Sequence, residues 1–74
     1  MNLIESRALA AYLKAWDGSG QLQQPGEVCE VDHEGLQYVR LSNIGGTLAV
    51  YRVRTVNGAP MLKRLKRWPS ALDQ

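Results

Sequence analysis

The chain has little of what a small protein uses to hold a metal, react with a substrate or cross a membrane. It contains one cysteine, Cys29, so no intrachain disulfide can form. A secreted domain of 74 residues would ordinarily carry several bridges, and a lone thiol points instead to the cytoplasm. It contains one histidine, His33, set in the acidic turn sequence Asp32-His33-Glu34-Gly35. No second histidine and no cysteine stands close by, so the three or four ligands of a metal centre are missing. His33 is expected to be an exposed turn residue. No Ser-His-acid set can be assembled, no catalytic residue is assigned and no cofactor is expected. The Ser42-Asn43-Ile44-Gly45-Gly46 stretch is rich in glycine but lacks the lysine and following helix of a phosphate loop. No apolar run approaches the roughly 18 residues that a membrane span needs. No cationic region precedes an apolar run at the N-terminus, so no signal peptide is expected. These absences argue against an enzyme and for a small domain that acts by binding.

What is present is a charge split. The formal net charge is only +2, yet residues 1–35 hold two cations against six carboxylates, a net of −4, while residues 36–74 hold seven cations against one, a net of +6. A split of this kind suggests an interaction surface. The other reading is that the two halves neutralise each other in the fold.

The pattern predicts an α+β domain, one N-terminal helix packed on a four-stranded antiparallel sheet. Residues 3–16 read as the helix. Asn2 is a capping residue, and Glu5 completes a capping box. Ile4, Ala8, Ala11, Tyr12 and Ala15 recur at helical spacing with Leu9, Leu13 and Trp16 beside them, and Arg7, Lys14 and Asp17 lie opposite. Gly18 and Gly20 are positioned to stop it. Strands are predicted at about 27–31, 36–41, 47–56 and 59–66, followed by a tail at 69–74. Tyr38 and Tyr51 are expected to pack, and Cys29 to be buried and inert rather than nucleophilic.

Asn57-Gly58 between apolar runs is the strongest short hairpin signal, a type I′ turn. It fixes a register in which Val56 faces Ala59, Val53 faces Leu62 and Val50 faces Leu65. Pro60 then falls opposite Thr55, tolerable only on an edge strand. The rival is a helix beginning at Pro60, with Met61, Leu62, Leu65 and Trp68 on one stripe and Lys63, Arg64, Lys66 and Arg67 on the other. The hairpin is preferred because its turn signal is local and specific.

In the hairpin register Arg52 faces Lys63, with Arg54 next along. Like charges directly opposite are destabilising, and an anionic partner would relieve them. The candidate binding set is therefore Arg52, Arg54, Lys63, Arg64, Lys66, Arg67 and Trp68. Its alternative is a solvated face whose long side chains splay apart and cover apolar surface. Trp68 either caps the core or serves as an aromatic anchor or base-stacking platform. Glu27, Glu30, Asp32 and Glu34 read as a solvated acidic edge, or as a face for a basic partner. Three functions follow: a small regulator that binds a protein, a direct DNA- or RNA-binding domain that uses the basic hairpin, and, least supported, an enzyme. A monomer is expected.

The size, the single helix in IESRALAAYLKAW (4–16) and the basic end LKRLKRWP (62–69) resemble small phage-encoded proteins that bind host RNA polymerase. The resemblance is one of size and organisation over the whole chain and carries over no individual residue. It implies a transcription regulator in the host cytoplasm whose partner is bacterial RNA polymerase. Bound at a subunit surface, such a protein disturbs sigma-factor engagement or termination, inhibiting initiation or promoting antitermination.

Overall fold

Asn2 opens the helix. In the computed structural model, which describes residues 2–15, 18 and 23–73, the Asn2 side chain accepts from the Glu5 N–H at 2.9 Å, and the Asn2 N–H donates to Glu5 Oε1 at 3.1 Å. This capping box satisfies two helix-terminal donors. The helix, α1, runs Leu3–Lys14, with Ala15 as its C-cap. It is shorter than the predicted 3–16. Trp16, Asp17 and Gly20, assigned to the helix and its stop, lie outside the described residues. Ala8 and Tyr12 are buried on the packed face, with Ile4, Leu9 and Ala11 partly buried beside them. Ala15 and Leu13, read as part of that face or its flank, are exposed.

Four strands follow, β1 (Glu27–His33), β2 (Leu36–Asn43), β3 (Gly46–Val56) and β4 (Ala59–Arg64). They pair antiparallel in the order β1-β2-β3-β4, an open meander. Two of its three turns are two-residue turns with a left-handed backbone. Glu34 and Gly35 have φ of 51° and 78°, and Asn57 and Gly58 have φ of 52° and 80°. Positive φ at both central residues is the type I′ signature, which matches the right-handed twist of the flanking strands. The Glu34-Gly35 turn is tighter than expected, so Asp32 and His33 belong to β1, and His33 is half-buried at its end rather than exposed in a turn.

The β3–β4 register is the one that Asn57-Gly58 implies. Val56 pairs with Ala59, Thr55 with Pro60, Val53 with Leu62 and Arg52 with Lys63. Regular pairing stops at Arg64, short of residue 66, though the Leu65 N–H still reaches the Val50 carbonyl at 2.9 Å. Between β2 and β3 the pairing steps from Leu41–Ala49 to Ser42–Thr47, which leaves Leu48 as the extra residue of a bulge.

Strand alternation gives the sheet two faces. On the helix face, Val39, Leu41, Ala49, Tyr51 and Val53 form one core with Ala8 and Tyr12. On the far face, Tyr38 and Val50 form a second, smaller core with Leu72. The stretch read as a tail supplies that cover. Residues Ser70–Leu72 form a 3-10 turn, Leu72 is 0% exposed, and its carbonyl accepts from Thr47 Oγ1 at 3.0 Å. Local sequence did not signal this, because a single leucine among polar residues has no periodicity.

Candidate interaction surface

Alternation also divides the predicted binding residues. Arg52 pairs with Lys63, and Arg54 with Met61. All four share the far face with Tyr38, which pairs with Arg52. Arg64 pairs with Tyr51 and so lies on the helix face. There its guanidinium sits 5.5 Å from the centre of the Tyr12 ring, a cation–π contact. Lys66 and Arg67 are exposed on the bend after β4. Trp68 is half-buried against the Tyr38–Val50–Leu72 core, and its indole N–H donates to Asp73 Oδ1 at 2.6 Å. The seven residues thus fall into three sets: Arg52, Arg54 and Lys63 on the far face, Arg64, Lys66 and Trp68 beside a groove, and Arg67 on the bend. The groove, about 580 Å³, is lined by Leu48, Arg64, Leu65, Lys66 and Trp68.

The meander decides what these cations meet. β1 and β4 occupy opposite edges of the sheet, so the acidic strand cannot lie against the basic one. Two of the three β1 acids have other partners. Glu27 lies 3.7 Å from the Arg40 guanidinium. Glu30 accepts from the Gln37 amide at 2.8 Å and from the Asn2 amide. Among the described residues, the ion pair is Glu27–Arg40, with His33 Nε2 4.0 Å from a Glu34 carboxylate oxygen, and neither contact includes a cation of β3, β4 or the bend. The Nε atoms of Arg40 and Arg52 are buried without a hydrogen-bond partner among the described residues. An unpaired buried donor costs free energy, and both of these lie on the far face, Arg40 there already paired with Glu27.

Sequence reasoning missed three apolar members of the same surface. Leu36, Val56 and Met61 are 38%, 47% and 57% exposed. Met61 lies on the far face opposite Arg54. Val56 and Leu36 share that face by alternation, Val56 with Arg54 and Leu36 with Tyr38. A signal was available: Val56 and Met61 have the same strand parity as Arg54 and Lys63 in the hairpin register. The C-terminal segment covers the Tyr38–Val50 half of this face, and among the described residues nothing covers the half toward the two type I′ turns, where Leu36, Val56 and Met61 are exposed.

Cys29 is half-buried on β1, and its thiol donates to Glu27 Oε1 at 2.8 Å. That hydrogen bond, then burial, then the Glu27 charge push its pKa above 9.0, against a weaker opposing pull from Arg40. A thiol held protonated is a poor nucleophile. In the glycine-rich loop, Asn43 Oδ1 accepts the Gly45 N–H at 2.8 Å, so this donor is committed within the loop. Among the described residues, no three His, Cys, Asp or Glu side chains come together as metal ligands, and no helix is long and apolar enough to cross a membrane.

The architecture is an α+β domain with one helix on a four-stranded antiparallel meander. No family model, no curated protein and no solved structure matches the chain.

Proposed function

We propose that the chain is a small non-enzymatic regulator that acts by binding a macromolecular partner through its basic C-terminal hairpin. One observation carries the reading. Arg52, Arg54 and Lys63 share a sheet face at the edge away from β1, and Glu27 and Glu30 of β1 are engaged at the opposite edge. A face that opposes Arg52 to Lys63 gains nothing from that pairing in isolation. It gains when an acidic surface arrives, because complementary charge steers encounter and fixes orientation. The resemblance of its sequence, in size and organisation, to small phage-encoded polymerase-binding proteins makes bacterial RNA polymerase the proposed partner. Contact at a subunit surface would inhibit initiation, promote antitermination, or both, in the cytoplasm of a bacterial host.

The competing reading is direct binding of DNA or RNA. The groove that places Trp68 with Arg64 and Lys66 favours it, since an aromatic beside cations suits a base and its phosphate. One experiment separates the two. The protein is used to capture purified bacterial RNA polymerase before and after nuclease treatment, beside a salt titration on plain duplex DNA. The protein-partner reading expects nuclease-resistant capture. Capture lost to nuclease, with duplex binding whose log-log salt slope is near −0.9 per neutralised phosphate, would overturn it.

A further inference from the structure

We infer that the open half of the far sheet face is a docking strip for an acidic protein segment that also presents apolar side chains. This inference rests on the protein-partner reading and names the chemistry of its contact.

The strip is mixed by construction. Every second β3–β4 pair contributes to it: Arg52 with Lys63, then Arg54 with Met61, then Val56 with Ala59. Leu36 continues the surface on β2. Leu36, Val56 and Met61 are the exposed large apolar residues of this face, and they lie beside the strip's own cations, Arg52, Arg54 and Lys63. The other half of the same face shows what such a surface accepts. There, a short turn of the chain's own C-terminal segment lays Leu72 onto Tyr38 and Val50. The open half has the same sheet geometry without that cover.

Charge selects the occupant. A second copy of the chain would bring Arg52, Arg54 and Lys63 against their own equivalents, a like-charge contact that opposes a two-fold dimer. Phosphates would satisfy the cations yet leave Leu36, Val56 and Met61 in water. A membrane surface would need side chains that protrude into the acyl layer, whereas Leu36 and Val56 are each more than half covered. A peptide that alternates carboxylates with leucine-like residues meets both chemistries at once. Its carboxylates reach the arginine forks, and Met61, with its flexible thioether, adapts to the apolar contact.

The test uses the intact chain and a short labelled peptide in which leucines recur among glutamates. Polyglutamate, single-stranded oligothymidylate and anionic phosphatidylglycerol vesicles serve as comparison probes. The expected result is tightest binding to the leucine-bearing peptide, with amide shifts centred on Arg52, Arg54, Met61 and Lys63. Met61→Ser with Val56→Ser should weaken it about tenfold, while polyglutamate binding changes little. A melting curve of the double variant confirms that it is folded. Equal binding of polyglutamate, tighter binding of oligothymidylate or vesicles, shifts centred on Lys66 and Trp68, or no effect of the double substitution would each overturn the inference. Failure here is distinguishable from failure of the proposed function. If Met61→Ser with Val56→Ser captures RNA polymerase normally while loss of the cations abolishes capture, the regulator reading stands and the apolar contact is refuted.

Discussion

Replacing Leu72 by alanine tests whether the C-terminal segment is part of the fold, and thereby where the open surface ends. The Leu72 side chain is fully buried and packs with Tyr38 and Val50, with Val31, Leu65 and Trp68 around them. The substitution spares the local backbone bonds, Leu72 N–H to the Pro69 carbonyl at 2.9 Å and Asp73 N–H to the Ser70 carbonyl at 3.0 Å, and so isolates the side chain. Truncating a buried leucine costs about 2–5 kcal/mol, depending on how far the site collapses. Residues 65–73 lie over the sheet as one strap that can settle into the vacated space, which favours the lower end, about 2–3 kcal/mol. A domain of this length has a total stability of about 4–11 kcal/mol at roughly 0.05–0.15 kcal/mol per residue. Each kcal/mol moves the midpoint of so small a domain by about 4–8 °C, so Tm should fall by about 10–20 °C. Far-UV circular dichroism melts of parent and variant measure it, with urea unfolding as a second readout. A variant that melts within about 2 °C of the parent would refute the reasoning. The far face would then be open along its whole length in solution, and the docking strip would have no boundary at Tyr38.

Gly58→Val should destabilise the fold by about 1–3 kcal/mol. Gly58 has φ of 80° and nothing within 4 Å of an added Cβ, so the cost is backbone strain alone; an unchanged urea midpoint would contradict the type I′ turn. Asn2→Ala should cost about 1 kcal/mol through loss of the capping box, read as a lower Tm and a faster-exchanging first helical turn; an unchanged Tm would mean the cap contributes nothing. Because its folded pKa is raised, Cys29 contributes stability that is fully present below pH 9.0 and lost as pH rises above it. Iodoacetamide should therefore label native Cys29 slowly at neutral pH, and Glu27→Gln should speed labelling; identical rates would remove Glu27 as the cause.

The parts of this fold that sequence disclosed are those fixed by local chemistry. Asn57-Gly58 set a turn and with it every pairing of β4, including Arg52 opposite Lys63. Asn2 and Glu5 marked the helix start because both partners of the capping box lie within one turn. The C-terminal segment was illegible for the opposite reason: Leu72 is buried by Tyr38 and Val50, residues far away in sequence, and nothing beside it announces the contact. Trp68 was ambiguous between core and surface, and the structure gives it part of each role. The binding set was legible as a list of cations but not as a surface. Parity along β3 and β4 separates Arg52, Arg54 and Lys63 from Arg64, and the same parity brings in Met61 and Val56. Reading the hairpin by faces rather than by charge would have shown both.

The central claim is that the cations of the far face serve a partner rather than the fold, and changing its two exposed cations, Arg54 and Lys63, together to serine tests it most directly. One preparation of the variant gives a melting curve and a binding titration against purified bacterial RNA polymerase. Exposed charges contribute little to stability, so the melting curve should shift by only a few degrees. Association with polymerase should slow and weaken by at least about tenfold. Unchanged binding would show that these cations only face water, and a variant that does not fold would show that they are internal partners of the domain; either result contradicts the account.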